Sequence, residues 1–330
     1  MANFYGSYVG FGGGGATAIG NSLVFAGTTY GFTAGGTSNG LTIEKLDFSS
    51  TSNSVNTTAD LAFSLAESAG AHNLTHGFSI GGTSDADYIQ KWAFDSGGSD
   101  ALDVGNMSTG RTTPMAASTT LFIYSMGGRD TSTHAVIDKM DNASYGDMTS
   151  VAILNTGRGD GVGGASESAM YSIGGLDSSS ISYVVDKMDL ATEADAAQVA
   201  TTGNGYSQGE WSYGFQYLYE VGGCHQYSFS RTNRGIARMD TTTDSNMAGS
   251  IGNLQLSGPS NPAYYGYGRH SGACVHSTTH GFISGGTSSA GGGSWNSIEK
   301  YDFSSTSNAA DMADLSAANY NQCQNWNAGT

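Results

Sequence analysis

The stretch His76-Gly77-Phe78-Ser79-Ile80-Gly81-Gly82 decides the fold of this chain, because its pattern returns at nearly constant intervals. An alternating run of apolar and aromatic residues ends in two glycines, which is typical of a β-strand that enters a turn, since glycine readily adopts positive φ. The glycine doublet occurs six times, at Gly35-Gly36, Gly81-Gly82, Gly127-Gly128, Gly174-Gly175, Gly222-Gly223 and Gly285-Gly286. Successive doublets are 46, 46, 47, 48 and 63 residues apart, a period that predicts a repeat architecture with one supersecondary unit per repeat.

A second pattern follows each doublet and predicts another strand. In Ile137-Asp138-Lys139-Met140-Asp141 the alternation puts the aliphatic residue, the cation and the final aspartate on one face. The cation recurs in all six units, as Lys45, Lys91, Lys139, Lys187, Arg238 and Lys300. A feature repeated in every unit usually serves packing between units. We therefore interpret these cations as framework residues, whose stems cover apolar surface while their heads meet a carboxylate, including the aspartate two residues on.

Two further runs complete the unit. A weaker alternating run such as Ala101–Met107 predicts an outer strand, and a segment of small residues such as Met115–Ser118 predicts a crowded inner strand. Four short strands, a Gly-Gly after the second and a period near 47 resemble the kelch repeat, although the tryptophan that kelch repeats carry in their fourth strand is missing. The resemblance implies an all-β, six-bladed kelch-like β-propeller over roughly residues 28–320, with seven blades as the less favoured alternative.

The domain organisation predicted from this pattern is an N-terminal arm over 1–20 and a single propeller domain over 21–330. Two segments compete to complete the first blade. Ala318–Thr330 has the place of an inner strand with no second strand after it, and Asn21–Gly27 lies directly before the first doublet strand. The sequence leaves both alternatives open.

Composition narrows the function classes. The formal charge is −16 with only 12 Lys and Arg residues, which argues against a nucleic-acid-binding surface. Apolar runs are too short to span a membrane, and the start Met1-Ala2-Asn3-Phe4 predicts no signal peptide. Cys224, Cys274 and Cys323 have no paired spacing, so we expect free thiols. The histidines 225, 270 and 276 show no metal-ligand spacing, and we predict neither a metal nor a cofactor.

The amino-acid sequences of two repeats are similar to repeats of virion proteins. Thr75–Ser84 and Thr279–Ser288 share Thr-His-Gly-Phe, followed by Gly-Gly-Thr-Ser, and resemble the kelch-like repeats of virion proteins from marine tailed bacteriophages of the cyanophage type. The resemblance implies a structural or adhesive protein on the capsid or tail. Its partners would be other virion proteins or a host surface glycan, with homo-oligomerisation in the particle left open.

Catalytic motifs are missing from the sequence. Neither a nucleophile elbow, a zinc-protease helix nor a phosphate-binding loop occurs, so we predict a non-enzymatic protein. Arg158-Gly159-Asp160 matches an adhesion tripeptide, but Arg158 falls where Arg111 and Arg269 fall in their units, just before the inner strand. We therefore interpret this arginine as a framework residue.

The long fifth interval predicts the binding site. Its extra residues lie in three segments, 224–235, 256–268 and 287–296, which should emerge from one face of adjacent blades. Loops on a rigid scaffold commonly carry binding, and Tyr and Trp supply contact area at low entropic cost. The predicted binding residues are Trp211, Tyr213, Tyr227, Phe229, Tyr264, Tyr265, Tyr267 and Trp295. Alternatively, these segments pack on themselves or plug the channel. The other functions left open are a carbohydrate-binding propeller outside a virion and, with less support, a cryptic oxidoreductase.

Overall fold

The structure is a computed structural model. It describes residues 29–320 and 323–326, apart from residues 39, 95–98, 179, 203–209, 215, 224–233, 256–268 and 288–293, and it describes the backbone alone for 210–214, 248–250 and 323–326. Within this part of the chain, no helix is long and apolar enough to cross a membrane.

The described residues form six antiparallel four-stranded sheets, and the predicted six-bladed β-propeller is confirmed. Blade 1 contains β1 (Tyr30–Ala34), β2 (Thr42–Asp47), β3 (Val55–Asp60) and, from the far end of the chain, β24 (Cys323–Trp326). Blade 2 contains β4 (Ala69–His72), β5 (His76–Ile80), β6 (Tyr88–Ala93) and β7 (Leu102–Asn106). Blade 3 contains β8 (Met115–Ser118), β9 (Phe122–Met126), β10 (Val136–Asp141) and β11 (Thr149–Ile153).

The second half of the ring repeats this order. Blade 4 contains β12 (Val162–Ala165), β13 (Ala169–Ile173), β14 (Val184–Asp189) and β15 (Ala197–Thr201). Blade 5 contains β16 (Glu210–Gly214), β17 (Tyr217–Val221), β18 (Gly235–Asp240) and β19 (Ala248–Asn253). Blade 6 contains β20 (Ala273–His276), β21 (His280–Ser284), β22 (Ser297–Asp302) and β23 (Ala310–Asp314).

The ring closes through β24. This strand is antiparallel to β1, with Gly31 opposite Trp326 and Ala34 opposite Cys323. It also lies beside β4 on one side and β20 on the other, so the six inner strands form a continuous circle. The inner-strand position of blade 1 is thus occupied by a segment from the C-terminal side, and the competing segment 21–27 lies outside the described residues.

The core lies between the blades. Buried apolar side chains form six clusters in the described residues, and each cluster joins two neighbouring blades. Between blades 2 and 3, for example, Phe78 and Ile80 pack with Ile123 and Met140. A single sheet could not bury these faces, so each blade depends on its neighbours for its stability.

The glycine doublets connect successive blades. All twelve doublet glycines have φ between 59° and 127°, a region that favours glycine. We call the segment from the outer strand of one blade to the inner strand of the next a linker. The second glycine of a doublet donates its N–H to a linker carbonyl, in the pairs Gly36–Leu65, Gly82–Arg111, Gly128–Arg158, Gly223–Arg269 and Gly286–Asn319, at 2.8–3.1 Å. Doublets and linkers thus share one end of the ring, here called the doublet face.

A second set of interblade contacts lies at the opposite face and was not predicted. In the turn between the third and fourth strands of each blade, an Asn or Asp side chain accepts an N–H from the outer strand of the preceding blade. The acceptor and donor pairs are Asn53–Asp314, Asp100–Asp60, Asp147–Asn106, Asp195–Ile153, Asn246–Thr201 and Asn308–Asn253. The residue after each Asn or Asp donates its own N–H to the carbonyl of that same outer-strand residue. All six interfaces, including the one that closes the ring, thus have the same two-bond bridge.

Candidate functional site

The ends of the three long segments meet at the doublet face of blades 5 and 6. Gly223, before the first segment, donates its N–H to the carbonyl of Arg269, directly after the second, at 2.9 Å. His270 and Thr287, next to the second and third segments, exchange two backbone hydrogen bonds of 3.1 and 2.9 Å. Arg234 donates Nη2 to the carbonyl of Leu254 at 2.8 Å. We call the three segments together with these ends the blade 5–6 loop sector.

Under the loop sector, the backbone is paired as it is in other blades. The bridge between His270 and Thr287 has equivalents at Thr112–Arg129 and Gly159–Leu176, where the connections are shorter. The extra residues of the sector are therefore additions to a standard connection.

Trp295 corrects part of the sequence prediction. Its side chain is only 5% exposed, and the guanidinium of Arg269 lies 5.1 Å from the centroid of its ring. Its backbone N–H is bound to the carbonyl of Gly286. The expectation of an exposed aromatic ring here is wrong, because this tryptophan covers a buried arginine.

The structure describes two of the other seven predicted binding residues. Trp211 and Tyr213 belong to β16, the inner strand of blade 5, where they lie opposite Glu220 and Leu218. The remaining five, Tyr227, Phe229, Tyr264, Tyr265 and Tyr267, lie outside the described residues.

Three buried arginines hold the linkers to their blades. Arg111, Arg158 and Arg269 are fully buried and pair with a carboxylate on the third strand of the following blade: Asp138 at 2.9 Å, Asp186 at 2.8 Å, and Glu299. Arg158 also donates to the carbonyl and hydroxyl of Ser172. Since Asp160 is buried as well, the Arg-Gly-Asp tripeptide is part of the interior and does not present an adhesion surface.

Blade 5 places its buried acid differently. At the position of Asp138 and Asp186 it has Ala237, and the carboxylate comes instead from Glu220 on the neighbouring strand, directly opposite Ala237. Glu220 is 4% exposed, and burial raises its pKa to about 8. At neutral pH blade 5 therefore has a largely protonated carboxyl in the region where blades 3, 4 and 6 have an ion pair.

The framework cations occupy one register position. Each lies opposite an aromatic residue of the second strand, in the pairs Lys45–Phe32, Lys91–Phe78, Lys139–Tyr124, Lys187–Tyr171, Arg238–Tyr219 and Lys300–Phe282. Their heads do not cluster in a patch, because every one belongs to a different blade.

Two of these lysines bind an acid of the next blade. Lys139 lies 2.7 Å from Glu193, and Lys187 lies 2.7 Å from Asp244. The aspartate two residues after Lys139, Asp141, instead accepts the N–H groups of its own turn, which hold its pKa below the usual value. Lys139 also lowers the pKa of Asp141 through its charge, but its ion pair is with Glu193 of the next blade.

Sulfur and imidazole groups show no metal geometry in the described part of the chain. Cys274 is buried, with Sγ 3.6 Å from the hydroxyl of Tyr301. Burial lowers the pKa of His270 and of His276 to about 4. Among the described residues, no three His, Cys, Asp or Glu side chains are grouped to hold a metal ion. Cys224 and His225 lie outside them, and only the backbone of Cys323 is described.

No protein-family model matches this chain, and no curated protein matches it either.

Proposed function

We propose that this protein is a non-enzymatic structural or adhesive component of a tailed-phage particle, which binds its partner through the blade 5–6 loop sector. The observation that carries the proposal is that the described ends of three long segments meet on one face of a closed ring. Their ends are joined by backbone hydrogen bonds between Gly223 and Arg269 and between His270 and Thr287. Binding loops are commonly presented in this way, as variable connections on a rigid scaffold.

The ring under the sector is well suited to that task. The buried pair of Arg269 and Glu299 ties the linker to blade 6, and the ring of Trp295 lies against the arginine. Loops anchored at both ends on such a frame lose less conformational entropy when they bind. Many recurring charged groups, among them Arg111, Arg158 and Lys139, serve contacts within and between blades.

The location in a virion is supported by the resemblance of the repeats to those of marine phage virion proteins. Other virion proteins are the first partners to consider, and a host surface glycan is the second. The aromatic and amide-rich composition of the loop sector suits either partner.

The test has two parts. Mass spectrometry of purified phage particles should find this protein, and its absence from every particle fraction would contradict the virion assignment. Replacing Tyr264, Tyr265 and Tyr267 together by Ala should then reduce particle incorporation or host attachment. Tyr183→Ala is the matched control, because Tyr183 is an exposed aromatic residue on blade 4, outside the loop sector. Equal incorporation and attachment for the triple variant and the control would exclude the sector as the contact.

A further inference from the structure

Two exposed aromatic rings stack on the doublet face where blades 1 and 2 meet, outside the loop sector. Phe63 lies in the linker from blade 1 to blade 2, and Tyr88 is the first residue of β6. Their ring centroids are 4.6 Å apart with an angle of 29° between the planes. Phe63 is 41% exposed and Tyr88 37%, so both rings remain open to solvent. We call this pair the aromatic platform.

The propeller frame does not require either ring. Phe63 comes two residues before Leu65, whose carbonyl binds a doublet glycine. The equivalent residues are Thr109, Thr156 and Ala317 in three other linkers, and Tyr267, which lies outside the described residues, in a fourth. The residues equivalent to Tyr88, at the start of the third strand, are Thr42, Val136, Val184, Gly235 and Ser297. The fold therefore tolerates small residues at both positions. The two aromatic residues, Phe63 and Tyr88, occur together where blades 1 and 2 meet.

The platform is held rigidly by Gln90. This fully buried side chain accepts the N–H of Phe63 at 2.7 Å and donates to the carbonyl of Phe63 at 3.2 Å. Blades 3, 4 and 6 use the same strand position for the acid that pairs with a buried arginine. Blade 2 has Leu65 in place of the arginine, so its neutral amide is available to fix the Phe63 backbone. Gln90 fixes the backbone of Phe63 and the stack with Tyr88 orients its ring, so a ligand that stacks there costs less conformational entropy.

The surroundings of the platform select the ligand. The segments around it, 35–43, 61–68 and 81–90, contain neither Lys nor Arg and carry Glu67, Asp85 and Asp87, so they would repel an anion. They are rich in hydroxyl groups, and Leu41 adds an exposed apolar side chain. A neutral pyranose ring suits such a surface, because it has apolar C–H faces and hydroxyl groups around its edge. The electron-rich face of an aromatic ring attracts the polarised C–H groups of the sugar, while the sugar hydroxyls form hydrogen bonds with the surrounding residues.

We infer that the Phe63–Tyr88 platform is a stacking site for a neutral pyranose ring, separate from the blade 5–6 loop sector. The inference does not rest on the proposed function, because it concerns different residues on a different pair of blades.

The test replaces both rings with the residues that another blade has at the equivalent positions. The variant Phe63→Thr, Tyr88→Val installs the side chains of Thr109 and Val136, so we expect it to fold with a thermal midpoint close to that of the wild type. The full chain is titrated with methyl pyranosides of glucose, galactose, mannose and N-acetylglucosamine, with saturation-transfer NMR as the readout. We expect at least one glycoside to bind the wild type and to bind the folded variant about tenfold more weakly or worse.

The matched control is Tyr183→Ala, which removes an exposed aromatic ring of blade 4 outside both the platform and the loop sector and should bind the glycoside as the wild type does. Lack of binding by all four glycosides would overturn the inference, as would equal binding by the platform variant. Loss of a virion-protein contact in the platform variant, with no glycoside bound by the wild type, would reassign the platform to protein recognition and also overturn it.

Discussion

The indole ring of Trp92 lies directly over Gly77 of the neighbouring strand. The two residues are opposite each other in the sheet of blade 2, and a Cβ on residue 77 would be 2.5 Å from Cζ2 of the indole. Blade 6 repeats the arrangement with Gly281 and Tyr301. Blade 3 fills the same space with Ile123 opposite Met140. In blades 2 and 6 a large residue on the third strand is thus combined with glycine on the second, whereas blade 3 combines two medium-sized residues. Blade 1 differs, because Gly31 lies opposite Leu46 and leaves its space to Val275 and Phe48.

The first prediction concerns this size complementarity. Gly77→Ile should destabilise the protein by roughly 1–3 kcal/mol or more through overpacking, and Trp92→Met should cost a similar amount through the cavity that it leaves. The double variant copies the pair of blade 3 and should be more stable than the sum of the two single changes predicts. Urea denaturation of the four proteins measures this coupling. Strictly additive effects would show that the two side chains do not share one space.

The second prediction concerns the buried ion pairs. Arg158→Leu leaves the carboxylate of Asp186 buried without its partner and should cost roughly 3–5 kcal/mol. Adding Asp186→Asn produces a neutral pair like Leu65 and Gln90 of blade 2, and should recover much of that loss. Thermal unfolding followed by circular dichroism compares the variants. If the double variant were as unstable as the single one, the loss would come from the missing guanidinium contacts to Ser172 and Thr156 rather than from the uncompensated charge.

The third prediction concerns pH. Because the pKa of Glu220 is about 8 in the folded protein and near 4.5 when exposed, the unfolded chain loses this proton first as the pH rises. Its contribution to stability is thus fully present at low pH and is lost progressively up to about pH 8. Glu220→Gln removes this dependence, so its stability advantage over the wild type should grow from pH 5 to pH 8, to roughly a few kcal/mol. A difference in unfolding free energy that stays constant over this range would contradict the assignment.

The fourth prediction concerns the bridges at the opposite face. Asn246→Ala removes the acceptor of the Thr201 N–H and should cost roughly 0.5–1.5 kcal/mol. Asn246→Asp is the control, since Asp195 accepts the equivalent N–H at the preceding interface, and it should lie close to the wild type. Hydrogen exchange of the Thr201 amide should accelerate in the alanine variant alone. Unchanged protection would show that the bridge is not formed in solution.

The blade count could be predicted from the sequence because a local signal recurs. Each doublet follows a period-two strand, and six in-register copies, from Gly35 to Gly285, leave little freedom for another architecture. Ring closure could not be predicted, because Asn21–Gly27 and the region of β24 both suit an inner strand locally. Their competition is decided by contacts between the two ends of the chain, which local patterns do not record.

The site was predicted less well for the same reason. Trp295 resembles an exposed binding residue when judged by its loop, and only the fold brings Arg269 onto its ring. The sequence does contain a signal for the Asn and Asp bridges. Just before the outer strand, an Asn or Asp is followed by a small or apolar residue, as in Asp195-Ala196 and Asn246-Met247. It was missed because these residues are common in any turn, and their acceptor role appears only across an interface.

The pairing of β24 with β1 also has a consequence for how the protein is made. Among the described strands, β1 is the earliest in the chain, and its inner neighbour β24 is synthesised only after nearly 300 further residues. Throughout that interval the inner edge of β1 offers free N–H and C=O groups, and such an edge is a template for pairing with another chain. Contacts this distant in sequence also form slowly. Nascent chains should therefore depend on protection of this edge, by a chaperone or by low local concentration, until residues 323–326 emerge.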